Sequence, residues 1–407
     1  MNADERRLTL FLAASLLVTL GMFIHVLLFN LYLADLGFRE DFMGRQASLM
    51  TLGTAAGTLP WAAMARRRGL RFTCIAALAG LAIFMVLRVH TSGAYLSAAS
   101  FLLGIFLGGW FVTQIPAIAA FSTGAGGFSL NVSMGIGIGA AGGLIGGHLP
   151  QWLGSKQAAL SIAATPLLPG ALIIAAISFP QTATVATASF RVARSFLLRF
   201  LPAVALWYAF GAGFIPFFNA YLRNRMGASV ATIGGVFALV HICHAAAALL
   251  MPKLSTRLGL ARAVVLTQIL AAAGVLAMWP VDSLRIATAL YIFYGSFQVM
   301  SEPGLQNLLM RGVPQSERAA AMAANLLLMF SVQAGVGAAA GKLIVDFGYG
   351  ALFIALGVTG LAAAAIFALL FERASLADSA PHASATQMPG VPLPRADHEA
   401  ADRSTRG

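Results

Sequence analysis

Of the 14 acidic residues in this chain, Glu302 is the one set well inside an apolar run, with Pro303 directly after it. An ionisable group in such a place is costly and marks a functional position by default. Its carboxyl group could carry a proton. It could equally close a gate by pairing with a cation such as Lys253, Arg257 or Arg311. Imidazoles are the next candidates. His25 lies mid-way along the first apolar run, and His241 and His244 share a helical face at i and i+3. Two histidines one turn apart could chelate, but zinc takes about four ligands and no nearby acid or cysteine completes the set. Cys74 and Cys243 each lie inside an apolar run and read as small buried hydrophobes. No metal and no cofactor are expected. An enzyme would need a clustered nucleophile, base or metal. Glu302, His241 and His244 fall on separate segments, so no catalytic residue is assigned and an embedded enzyme is a remote alternative.

Neutral polar groups form a larger set. Asn30, Gln114, Asn219, Gln298, Asn325 and Gln333 interrupt apolar runs, accompanied by aromatics that include Phe29, Trp110, Phe218 and Tyr294. Apolar walls with a few convergent polar groups are what a small-molecule site requires. The same amides could instead bond between helices and never meet a solute. The candidate substrate-binding set is His25, Phe29, Asn30, Trp110, Gln114, Phe218, Asn219, Tyr294, Gln298 and Asn325. This reading places no Arg or Lys near the middle of those runs. Phosphate esters and dicarboxylates are therefore disfavoured, and a neutral or weakly cationic organic solute is expected.

The elements that must position these residues follow from composition. The chain is 59% hydrophobic and 10% charged, with a mean hydropathy of +0.83. A soluble protein of this size carries about 25% charged residues. Apolar stretches of about 20 residues, enough for a helix to cross a bilayer, recur along the whole length. The expectation is an all-α polytopic membrane protein with twelve transmembrane helices. They lie near 8–34, 42–65, 72–90, 95–118, 130–152, 158–179, 198–222, 229–252, 263–281, 286–309, 318–345 and 349–371. The first is too long for a signal-peptide core and reads as a retained span. The segments divide into an N-terminal six-helix bundle (1–179), a cytoplasmic linker (180–197), a C-terminal six-helix bundle (198–372) and a polar Ala/Ser/Pro-rich tail (373–407) expected to be disordered. Fourteen of the 26 Lys and Arg residues fall in loops on the N-terminal side, eight, Arg88 among them, on the other side, and four in the tail. This excess puts both termini in the cytoplasm of a bacterial-type inner membrane. It also spends much of the +12 net charge where anionic lipid meets it, so lipid is the expected partner and nucleic acid is not.

The chain repeats itself. "FNLYL" at 29–33 returns as "FNAYL" at 218–222, placing Asn219 opposite Asn30. Gly44 and Gly234 stand 190 positions apart, as do Gly69 and Gly259, and the Gly108/Pro116 pair returns as Gly295/Pro303. A near-constant offset over several spans indicates two homologous halves, a known transporter design with the site between them. The chain resembles the major facilitator superfamily over roughly residues 8–371. The family's loop signature, G-x-x-x-D-R-x-G-R-R/K, fits at Arg67, Gly69 and Arg71. Ala62, Arg66 and Leu70 depart from it, and the second copy fits at Arg257 and Gly259. The resemblance implies two pseudo-symmetric bundles, a central cavity lined by the first, fourth, seventh and tenth spans, and a cytoplasmic latch at this loop. Because Arg66 replaces the latch Asp, that latch would be weaker or built from other residues. Coupling or gating is accordingly assigned to Glu302, Arg67, Arg257 and Arg311.

Gly135, Gly139, Gly143 and Gly147 line one stripe of the fifth span, and Gly337 and Gly341 give a shorter stripe in the eleventh. Such stripes allow close helix approach and are expected to join the halves. No G-x-x-x-x-G-K-[ST] loop marks an ATP-driven pump. The function expected is a monomeric secondary transporter moving a small organic solute by alternating access, with protons as the candidate coupling ion. The alternative outside transport and catalysis is a duplicated membrane sensor or scaffold.

Overall fold

The computed structural model describes residues 3–122, 126–179, 194–314 and 317–372, and among these every regular element is helical. The first half contains α1 (Ala3–Asp35), α2 (Glu40–His90), α3 (Gly93–Phe121), α4 (Gly126–Leu153), α5 (Lys156–Ile162) and α6 (Leu167–Ala176). The second half begins with α7 (Arg194–Phe214), a 3-10 turn (Ile215–Phe217) and α8 (Phe218–Asn224). It continues through α9 (Val230–Ala248), α10 (Met251–Leu258), α11 (Leu260–Leu276), α12 (Leu284–Gly312) and α13 (Arg318–Phe367), closing on a π turn (Ala368–Glu372). Eight stretches among the described residues are long and apolar enough to cross a bilayer. The expected linker lies outside the described residues as far as residue 193, and the expected tail lies wholly outside them.

Several expected spans run together or break. The 42–65 and 72–90 stretches share α2, which turns at Gly69 (φ 81, ψ 162). Gly259, at the α10–α11 junction, has nearly the same geometry (φ 82, ψ 151). These dihedrals belong to a region open essentially to glycine alone, so the signature loop and its second copy require glycine for the same reason. The expected 318–345 and 349–371 stretches likewise share α13, which turns at Gly348 (φ 83, ψ 173). Two further breaks have proline at the fault, Pro166 before α6 and Pro216 between α7 and α8. Proline lacks the N–H that would continue the helix and clashes with the preceding turn.

Packing inside each half is aromatic and aliphatic. Phe11 stacks on Trp110 in the first half, and Phe214 packs on Tyr291, Tyr294 and Phe353 in the second. Glycine lines the contacts between halves. A Cβ on Gly147 of α4 would stand 3.0 Å from Gly234 Cα of α9, and one on Gly143 would be 2.9 Å from Ala238 N. On the opposite side a Cβ on Gly44 of α2 would run into Gly337 O of α13. Gly44–Gly337 and Gly234–Gly147 are one contact written twice, since 44 and 234, like 147 and 337, differ by 190. Gly135 is the exception in the fifth-span stripe, with nothing within 4 Å of its added Cβ.

Candidate functional site

Between the halves lies a cavity of about 230 Å3. Its walls come from α1, both arms of α2, the α7–α8 break, α9 and the first arm of α13. Most of the lining is apolar, supplied by residues such as Met22, Val26, Met50, Ile215 and Phe237. The polar groups are His25, Asn30, Thr51, Arg88, Asn219 and Gln333.

Two of these amides hold the halves together. Asn30 donates its side-chain N–H to Pro216 O, and Asn219 donates its own to Leu27 O at 2.8 Å. Asn219 Oδ1 accepts from Ala220 N at 2.8 Å, which fixes the amide's orientation. Both side chains are buried, and both also line the cavity.

His25 is 1% exposed, and neither ring nitrogen has a hydrogen-bond partner. Its ring stacks on Phe29 with centroids 5.5 Å apart. On Phe29 also sits the guanidinium of Arg88, with Cζ 3.4 Å from the ring centroid. The charge count placed Arg88 in a loop; the structure instead buries it at 4% exposure on the cavity wall. The reason is helical register. Leu78, Leu81, Met85 and Arg88 fall at i, i+3, i+7 and i+10 on the buried stripe of the second arm of α2. The argument against anionic solutes, that no cation reaches the cavity, therefore fails.

About a turn beyond the asparagines, at the helix ends farthest from the N-terminus, a polar cluster joins the halves. Asp35 accepts from Lys156 and, at 2.8 Å, from Arg223 of the other half. Glu40 accepts from Asn224 at 2.9 Å and from Tyr349 at 2.7 Å, and Arg39 donates to Val345 O at 3.2 Å. The cluster closes this end of the molecule over the cavity.

A sequence profile of the Major Facilitator Superfamily matches residues 200–397. The second half of the chain is thus similar to the major facilitator superfamily. No curated protein matches the sequence. Among solved structures the chain is similar to a nucleoside transporter, NupG in its D323A form. The TM-score is 0.76 at 12% identity, over 90% of this chain and 100% of that one. It is similar also to a D-xylose-proton symporter (TM-score 0.72, 15% identity, 88% and 96% covered). A third likeness is to the human organic anion transporter MFSD10 (TM-score 0.64, 17% identity, 90% and 100% covered). At these identities the likeness is one of fold. The fold is one that membrane transporters adopt.

The cavity gathers His25, Phe29, Asn30 and Asn219 from the sequence-derived set. The other six candidates sit elsewhere. Trp110 packs on Phe11, and Gln114 donates to Ser15 Oγ at 2.8 Å, tying α3 to α1. Phe218 stacks on Tyr291 with centroids 3.5 Å apart. Tyr294 is buried against Phe210 and Phe214, and Asn325 donates to Tyr208 Oη at 2.8 Å. Gln298 lies against Gly211 of α7. Arg88 and Thr51 line the cavity without having been singled out. For Arg88 the i, i+3, i+7 stripe was the available signal.

The coupling and gating candidates lie toward the other end of the helices. Glu302 accepts from Gln306 at 3.3 Å, and Arg311 donates to Asn307 Oδ1 at 2.9 Å. Arg67 and Arg257 are exposed. In this structure Glu302 is in ion-pair range of no cation among the described residues.

Proposed function

We propose that this protein is a secondary active transporter of the major facilitator type that moves a small organic solute by alternating access. The observation that carries this reading is the cavity between the two sequence halves, closed at one end by the Asp35–Arg223 and Glu40–Asn224 links. A site walled by both halves changes its exposure when one half rocks against the other around the paired glycine contacts. The reading takes twelve spans in two six-helix bundles, residues 1–179 and 198–372, with 180–197 as linker and 373–407 as tail. It also takes a monomer in the inner membrane with both termini in the cytoplasm. On that orientation the closed end faces outward and the structure is inward-facing. The likeness to a proton symporter supports proton coupling. Glu302 is the coupling or gating carboxyl, with Arg67, Arg257 or Arg311 as cations it meets when the cytoplasmic end closes.

Spin-label pairs test the motion. One pair spans the outer ends of α1 and α8, the other the inner ends of α2 and α10. In reconstituted protein the two distances should change in opposite senses when a bound solute is added. A single fixed distance at both ends would refute alternating access and favour the sensor or scaffold reading.

A further inference from the structure

Arg88 is a buried cation for which the described residues supply no anion. Its Nε has no hydrogen-bond partner, and its described hydrogen bond is a long one, 3.8 Å, to the thioether sulfur of Met50. Among the described residues no carboxylate lies in ion-pair range of it. The ring of Phe29 stabilises the charge through its face, but a quadrupole does not take up the hydrogen bonds of a guanidinium. Buried charges are ordinarily paired, and leaving one uncompensated is among the costliest arrangements a protein interior holds. Beside it, His25 presents two ring nitrogens, likewise without partners. All three side chains, Arg88, Phe29 and His25, line the same cavity.

We propose that Arg88 is the anchor for the carboxylate of a small monocarboxylic acid, with His25 contributing a second hydrogen bond to it. This rests on the transporter reading and supplies its substrate class. A planar guanidinium fork matches a carboxylate, which it can bind through two parallel hydrogen bonds. Among the described residues Arg88 is the one Lys or Arg on the cavity wall. A dicarboxylate or a phosphate ester would therefore carry in a second charge with no partner. The remainder of the solute meets Met22, Val26, Ile215 and Phe237 and is apolar. At about 230 Å3 the cavity is smaller than the roughly 300–1,000 Å3 of pockets for drug-sized ligands, which limits the solute to a compact acid.

The test is a binding measurement, independent of transport. Purified full-length protein in detergent is melted with linear and aromatic monocarboxylates of four to ten carbons. Each acid is paired with its uncharged amide, and succinate and glucose 6-phosphate are included. At least one acid should raise the melting temperature by several degrees, with its amide, succinate and the phosphate ester giving a small fraction of that shift. Arg88→Met should melt no lower than wild type without ligand, because the unpaired charge is gone, and should lose the acid-induced shift. If that variant fails to fold, Arg88→Lys serves in its place. It keeps the charge but not the fork, and should weaken the acid at least tenfold. The proposal falls if acids and amides stabilise equally, if no acid in the series stabilises, or if the shift survives in the Arg88 variants. Neutral solutes that are transported while no acid binds would defeat this inference and leave the transporter reading intact. Acids that bind through Arg88 without being transported would do the reverse.

Discussion

Asn30 and Asn219 each donate a side-chain amide across the molecule to the carbonyl three residues upstream of the other, at Pro216 and Leu27. The repeated "FN-x-YL" stretch is thus a reciprocal clasp between the sequence halves as well as part of the cavity wall. Two equivalent residues making the same bond in opposite directions is what a local two-fold axis requires. Neither asparagine could be dropped without leaving an interior carbonyl short of a donor. Asn30→Ala and Asn219→Ala should each destabilise the protein by about 1–2 kcal/mol. The double variant should lose less than the sum, because one broken clasp frees the other. A double-mutant cycle on melting curves reads this coupling, and strict additivity would mean that the two bonds are independent.

The glycine contacts predict where bulk is tolerated. A Cβ on Gly234 would stand 2.6 Å from Gly147 Cα, whereas one on Gly135 meets nothing within 4 Å. Gly234→Ala should cost about 1–3 kcal/mol, the usual penalty for overpacking, and Gly44→Ala should cost as much on the opposite side. Gly135→Ala should be neutral in stability and in flux. Equal sensitivity at Gly135 and Gly234 would contradict the packing described.

The polar cluster at the closed end predicts a shift of conformation. Asp35→Asn weakens the links to Lys156 and Arg223 at once. The groups are partly exposed, so the loss is modest, on the order of 1 kcal/mol or less for each pair. A shift of that size changes a two-state ratio by about fivefold, since 1.36 kcal/mol is a factor of ten. Spin-label distances between the C-terminal ends of α1 and α8, at this cluster, should lengthen in the variant, most clearly at low salt.

Glu302 predicts coupling. If it carries the proton, Glu302→Gln should abolish the response of solute flux to a pH gradient and spare solute counterflow. A variant that still responds fully to the gradient would leave Glu302 as a gate residue. That role predicts slowed exchange and no change in proton stoichiometry.

Much of this architecture was legible in the sequence, because its signals are long and redundant. Apolar runs marked the membrane helices, and the 190-residue offset paired Gly44 with Gly234 and Gly69 with Gly259 before any contact was visible. The site was less legible. An amide in an apolar run reads the same whether it faces a cavity, as Asn30 and Asn219 do, or ties neighbouring helices, as Gln114 and Asn325 do. Only packing separates these outcomes. Arg88 was missed for another reason. It lies two residues from the end of its helix, where a charge ordinarily reaches water, and its inward direction is set by register with Leu81 and Met85.

Solute flux in proteoliposomes bears most directly on the central claim. Vesicles holding the purified protein are preloaded with an acid that raises its melting temperature, then given a trace of the same acid, labelled, outside. Transport by alternating access predicts saturable counterflow, well above that of protein-free vesicles and strongly reduced by Gly234→Ala. Flux indistinguishable from empty vesicles, for a solute that demonstrably binds, would contradict it.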